Sequence, residues 1–175
     1  MEAGSPATLL GVEGVAARIY FENLPKVISP AQDEAIAEFD ANGRKRRPAP
    51  DPINALLGYV YSLLVKDLVA VCIGVGLDPY LGVYHKPRYG RPALALDLME
   101  EFRPLLADST VVGMLNNGEL TRGDFERRNG GCWLTAQGRR KVIRAYERRL
   151  DVQVTHPVFK YKISYRRGRD VHGRI

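Results

Sequence analysis

Sixteen residues, His85 to Glu100 (HKPRYGRPALALDLME), bring together an imidazole, three cationic side chains and two carboxylates. Those group types suit metal-assisted chemistry on a phosphate. Asp97 and Glu100 lie three apart in ALALDLMEEF, where Leu94, Leu96, Leu98, Met99 and Phe102 predict a mostly buried helix. Three-residue spacing puts both carboxylates on neighbouring positions of one helix face. A buried carboxylate pair needs a cation, and Lys86, Arg88 and Arg91 just upstream can hold an anionic substrate over it. On spacing alone, a histidine and two acids near a helix are more often solvated surface groups than ligands.

These side chains need a scaffold, and the sequence predicts a helical one. GVAARIYFENL (14–24) is amphipathic and stopped by Pro25, which puts Glu13 just before or inside a first helical turn, a favourable place for an anion. Ser29-Pro30 opens a short helix ending near Asn42-Gly43, followed by an exposed basic loop through Arg44–Arg47. Asp51-Pro52 opens the longest helix, roughly 53–75, apolar on most faces and so central, with Gly76 as its stop. His85 then falls in a loop between two buried helices. The helix carrying Asp97 continues or restarts after Pro104 and ends near Asn116-Asn117-Gly118. Asn129-Gly130-Gly131 allows a small hairpin at most, and Thr135 caps a basic helix over 136–150. The aromatic and basic end from Pro157 reads as a helix or an extended arm.

The chain of 175 residues is long enough for one real core and carries two cysteines, too few for a disulfide framework. Lys66 and Asp67 interrupt the most apolar stretch, so a soluble protein of a reducing, cytoplasmic compartment is expected, with no membrane. The net charge of +6 is unevenly placed. Residues 139–175 hold twelve Lys or Arg against three acids, whereas the first 138 hold fourteen against seventeen. A basic end on an acidic remainder fits nucleic acid as partner, with a solvated helix and loose tail as the alternative.

Four phrases extend this reading: LLGVEGVAARIYF (9–21), RPAPDPINALLGYVYSLL (47–64), GLDPYLGVYHKPRYGRPALALDLMEEFRP (76–104) and GCWLTAQGRRKVIRAYERRL (131–150). In order and over nearly the whole chain, they resemble the CRISPR adaptation integrase and endonuclease family, CRISPR-associated protein one. The resemblance implies a mainly α carboxy-terminal catalytic domain, here residues 1–156, with 157–175 as a basic aromatic segment. It implies Glu13, His85 and Glu100 as catalytic metal ligands, with Asp97 as a supporting acid. Glu13 enters through the resemblance alone. Family members also begin with a β-rich domain that supports homodimer contact; here the matching phrases start by residue 9, so a fragment, a truncated copy or part of a fusion is expected.

The implied reaction joins spacer 3′-hydroxyls to repeat DNA by transesterification, and water as nucleophile would make the same site an endonuclease. Mg²⁺ or Mn²⁺ suits a donor set of two carboxylates and an imidazole. Implied partners are double-stranded spacer and repeat DNA and the small second subunit of the adaptation complex. Candidate DNA contacts are Arg18, Arg88, Arg91 and a stripe of Lys141, Arg144, Arg148 and Arg149. Tyr20, Asn54 and Tyr61 serve either the site or helix packing; His156 is read as structural, and His172 carries no role. The rival reading is a non-catalytic DNA-binding and assembly module, and a structural remnant with neither property also stands.

Overall fold

The protein is described by a computed structural model, which covers residues 6–29, 48–155 and 162–165, apart from the side chains of 6–10, 154 and 163. The expected helix over 30–43, the Arg44–Arg47 loop, His156, His172 and most of the segment from 157 lie outside these residues.

The architecture is mainly α, as expected. Its centre is α2 (Pro52–Gly74), which packs on every later element up to α5 apart from β1 and a short 3₁₀ turn. Its start follows directly from chemistry. Asp51 is the N-cap, its Oδ1 accepting from Asn54 N at 2.7 Å, and Pro52 occupies a first-turn position where no N–H is needed. Ile53, Leu56, Leu57, Val60, Tyr61, Leu64, Leu68 and Cys72 recur every three or four residues and are buried. By length and composition α2 could cross a membrane, yet here it packs as the core helix, and Asp67 on it accepts from Tyr146 Oη at 3.0 Å. Both cysteines, Cys72 and Cys132, are buried and unbridged.

α1 (Pro6–Asn23) begins earlier than the sequence predicts. Glu13 therefore sits about two turns inside the helix, and the expected benefit from the helix N-terminus is lost there, since that field fades within the first turn. Buried Phe21 and Leu24 dock its C-terminal end on the core.

After α2 the chain loops back to α3 (Ala93–Phe102), which runs through a π-helical stretch (Arg103–Asp108) into α4 (Ser109–Asn116). Pro104 accounts for the change of pitch. It has no N–H to offer the carbonyl of Glu100 four residues back, and its ring crowds that carbonyl, so the turn widens. A widened turn of this kind is often found at functional sites.

β1 (Phe125–Arg128) and β2 (Gly131–Leu134) pair antiparallel around Asn129-Gly130, both at positive φ (52° and 72°), as a two-residue turn of this type requires. Thr135 Oγ1 caps α5 (Ala136–Leu150) by accepting from Gly138 N at 3.1 Å. Beyond it, β3 (Gln153–Thr155) pairs with β4 (Lys162–Ser164), so two small antiparallel pairs stand where one hairpin was expected, and the end is extended over those residues.

The turn before β1 is closed by Asp124, whose side chain is fully buried. Its Oδ2 accepts from Thr121 N at 2.8 Å and from Lys141 Nζ at 2.7 Å. Burial raises the Asp124 carboxyl, and the bonds from Lys141 and Thr121 outweigh it, so its pKa lies below the usual 3.8. Lys141→Ala strands that carboxylate and is expected to cost on the order of 3 kcal/mol in urea unfolding. Arg144→Ala, at an exposed position of the same helix, should stay within about 0.5 kcal/mol. Equal losses for the two would show that the Asp124 clamp does not stabilise the fold.

Candidate functional site

His85 lies in the loop between α2 and α3, and one carboxylate holds that loop in place. Asp97 Oδ2 accepts from Val83 N at 2.7 Å and Tyr84 N at 2.9 Å, and Oδ1 accepts from His85 N at 2.8 Å. His85 Nδ1 lies 2.6 Å from the same Oδ1. Against a carboxylate acceptor, Nδ1 carries the proton, which leaves the Nε2 lone pair for another group. Burial pushes the Asp97 carboxyl up, and the bonds from Tyr84, His85 and Val83 together hold it below the usual 3.8. The loop reaches α3 by a second route, because Leu94 N donates to Pro79 O at 2.9 Å. Gly82 is needed where the two meet: a Cβ there would stand 2.6 Å from Ala93 Cβ and from His85 O.

Glu13 arrives from α1. The Tyr84 hydroxyl donates to its Oε2, so the residue next to His85 bridges to Glu13 across 71 positions of sequence. That bond, then desolvation, then the charges of Glu13, Glu100 and Asp97, push the Tyr84 phenol up to about 12. One hydroxyl thus senses all three acids named from the sequence. Glu100 itself is engaged on its other side, with Oε2 2.8 Å from Arg103 of the π stretch.

Arg103 also lies over the rings of Phe21 and Tyr61, 5.8 and 5.4 Å from their centroids. Beside it, buried Asp108 accepts from Tyr20 Oη at 2.7 Å and from the Tyr61 hydroxyl. Burial first, and then Asp108, raise the Tyr20 phenol strongly. Tyr20 and Tyr61 therefore tie α1 and α2 to the helix that carries Glu100. Asn54 is instead bound to Asp51 at the far end of α2, a helix-start role.

Glu13 meets the loop of His85 through Tyr84, and Asp97 and Glu100 lie one turn apart on α3, with both Asp97 oxygens spent on the loop. Among the described residues, no three His, Cys, Asp or Glu side chains stand close enough to hold a metal ion as they are oriented here. Tyr84, Arg103 and Asp108 were not singled out from the sequence. Tyr84 adjoins His85, and Arg103 lies three residues after Glu100, the spacing of a helix pair; Asp108 had no local signal, because its partners come from two distant helices.

The basic candidates separate sharply. Lys141 is turned inward onto Asp124, Arg148 pairs with Glu119 at 2.6 Å, and Arg149 Nε donates to Leu105 O at 2.8 Å. Of the expected phosphate stripe on α5, Lys141 and Arg149 are thus taken up within the fold, while Arg144 and the Glu119-paired Arg148 are exposed. Arg18 is exposed near Glu22, 3.9 Å away. Arg88 is exposed and Arg91 half-buried in the loop after His85.

The family model described as CRISPR associated protein Cas1 matches residues 1–148. A CRISPR-associated exonuclease Cas4/endonuclease Cas1 fusion of Geobacter sulfurreducens is 50% identical over 175 residues, covering 100% of this chain and 31% of its own length. This chain therefore spans about a third of that relative. A solved structure of a casposase bound to integration product superposes with a TM-score of 0.81 at 28% identity, over 94% of this chain and 47% of the casposase. A partial Cas6-RT-Cas1–Cas2 complex gives 0.74 at 30% identity, over 86% of this chain and 44% of that one.

Asp97→Ala removes the acceptor of three loop amides. Bonds to a charged acceptor contribute about 1.5–3 kcal/mol each, so hydrogen exchange at Val83, Tyr84 and His85 should speed at least about tenfold while α2 amides stay protected. Because the folded pKa of Asp97 is depressed, its contribution is complete above the usual carboxylate range and fades as pH falls through the lowered value. The same three amides should loosen on acidification below about pH 4. Unchanged exchange in the variant would show that Asp97 does not hold the loop.

Proposed function

This chain belongs to the CRISPR associated protein Cas1 family, and from that premise we propose that it is a divalent-metal-dependent DNA integrase and endonuclease domain of CRISPR spacer acquisition. The observation that carries the reading is the bond from the Tyr84 hydroxyl to Glu13, made beside a histidine whose ring Asp97 engages through Nδ1 from the helix that also bears Glu100.

The donor set fits a hard divalent ion such as Mg²⁺ or Mn²⁺: two carboxylates and one neutral imidazole, oriented through its other nitrogen by Asp97. Glu13, His85 and Glu100 would hold it, once Glu13 gives up Tyr84 and Glu100 gives up Arg103. Bound there, the ion would supply Lewis-acid polarisation of the scissile phosphate and offset its developing charge.

The chain's own residues do the rest. Asp97 keeps His85 in one tautomer and keeps its loop in register with α3. The Tyr20–Asp108–Tyr61 bonds hold α1, and with it Glu13, against the helix of Glu100. Arg88 and Arg91 supply positive charge beside His85 for the DNA backbone, and Arg144 and Arg18 are more distant contributors. In that reaction the 3′-hydroxyl of spacer DNA would lose its proton and bond to the phosphorus at the repeat end as the 3′-oxygen of the adjoining nucleotide leaves and takes up a proton, and water in place of the hydroxyl would give cleavage. Duplex DNA and the small Cas2-type subunit are the proposed partners, supported by the casposase product and the Cas1–Cas2 complex among similar structures.

Calorimetry of Mn²⁺ on the 175-residue chain is expected to show binding that weakens at least about tenfold in Glu13→Gln and His85→Ala. In a branched-DNA joining and cleavage assay, His85→Ala should lose activity at least about 100-fold while DNA affinity stays within about threefold. If His85→Ala and Glu100→Ala both keep parental activity, the ligand assignment is wrong. Salt-sensitive DNA binding by the parent with no metal-dependent turnover would favour the assembly-module reading.

A further inference from the structure

A helix that packs lengthwise on a core buries a side chain every three or four residues. α1 does not. Over residues 11–20 it is exposed at every position except half-buried Ala17, and Val12, Val15 and Ile19 are 52%, 50% and 52% exposed. Burial begins at Phe21 and continues at Leu24. There the root of the helix is secured: Tyr20 Oη donates to Asp108 Oδ2 at 2.7 Å, and Arg103 lies over the Phe21 ring. Glu13 stands about 12 Å further out along the helix axis. Gly11 and Gly14 lie on either side of it, where a Cβ would meet nothing within 4 Å. Neither glycine serves close packing, and both weaken the helix.

What holds this outer part therefore also sets the position of a proposed ligand. Among the described side chains, one hydrogen bond from another element reaches α1 beyond Tyr20, and it is the one from Tyr84 Oη to Glu13 Oε2. The pairing of Arg18 with Glu22 and the bond from Asn23 to Ile19 O run along the helix itself. Tyr84, by contrast, is fixed. Its amide donates to Asp97 Oδ2 at 2.9 Å, the amides on either side of it are held by the same carboxylate, and its ring meets the His85 ring edge-on at 5.5 Å. A fixed phenol thus meets a carboxylate on a helix that little else supports.

We propose that α1 is a hinged arm and that Tyr84 is its clasp, a positioning residue whose hydroxyl brings Glu13 to the loop of His85 and holds it there until the carboxylate passes to the ion. The helix before Phe21 is about the length at which isolated helices are marginal in water. With the clasp open it loses tertiary support and frays, and the candidate site is one acid short. This rests on the ligand reading above and adds how the one member from a distant element is brought to the others.

Hydrogen exchange of the 175-residue chain, read by mass spectrometry over residues 11–17 with α2 as internal reference, tests this. Without metal, Tyr84→Phe and Glu13→Ala should each speed exchange of the arm by roughly 3- to 10-fold, the loss of one solvent-accessible hydrogen bond, while α2 keeps the parental rate. The double variant should be no faster than either single one, since both remove the same bond. Glu13→Gln keeps an acceptor oxygen for the phenol and should stay near the parent. Added Mn²⁺ should restore protection in Tyr84→Phe, which retains Glu13, and not in Glu13→Ala. A bond with a purely structural role would show no such rescue. If Tyr84→Phe exchanges as the parent does, or if its effect adds to that of Glu13→Ala, the clasp is wrong while the ligand reading stands. If both single variants loosen the arm and Mn²⁺ restores nothing in Tyr84→Phe, the positioning role is wrong together with the assignment of Glu13 as a ligand.

Discussion

An apolar helix of 23 residues, α2, must be taken out of water, and the rest of the structure is the cover. At its N-terminal end nearly every position is buried, and further along a stripe at three- and four-residue spacing remains so. Fully burying each such side chain contributes about 1.5–3 kcal/mol relative to exposure. The elements that cover the helix are therefore fixed first by apolar area, and their polar groups must be satisfied within that arrangement. α3, the π stretch, α4, α5 and β2 all pack on it.

Tyr61 is where this core touches the site. It is buried on α2, and a buried phenol needs a partner. Asp108 supplies one and also takes Tyr20 from α1. A single buried carboxylate thereby joins the central helix, the helix of Glu13 and the widened turn below Glu100. Arg103, lying over Tyr61 and Phe21 while paired with Glu100, extends that link to the edge of the candidate site. Asp97 does comparable work for the loop: four hydrogen bonds to one side chain turn a non-helical segment into a fixed support for His85. In both cases an acid that reads in isolation as a candidate ligand or surface charge acts by holding other groups.

How legible this was in the sequence differed from element to element. The limits of α2 and α5 are local events, set by Asp51 and Thr135 as caps, and they fall where those residues predict. The small β1–β2 hairpin follows from Asn129-Gly130 for the same reason. The start of α1 lies earlier than residue 14, where the amphipathic pattern predicts it, and the helix runs through Gly11 and Gly14. Lys141 and Arg148 looked like free phosphate contacts because helical spacing reports only which residues share a face. Whether an acid such as Asp124 or Glu119 waits opposite that face depends on elements 17 and 29 residues away.

By itself, the sequence determined the helical class, the family resemblance and the presence of His85, Asp97 and Glu100 in one loop-and-helix segment, since each depends on residue type and short spacing. Only the tertiary structure decided which side chains meet across distance. Tyr84 reaches Glu13, Tyr20 and Tyr61 share Asp108, Lys141 turns to Asp124, and Tyr89 stays in solvent. The physical reason is that hydrogen bonds and ion pairs act over a few ångströms of space, and the burial of α2 determines which distant segments are brought within that range.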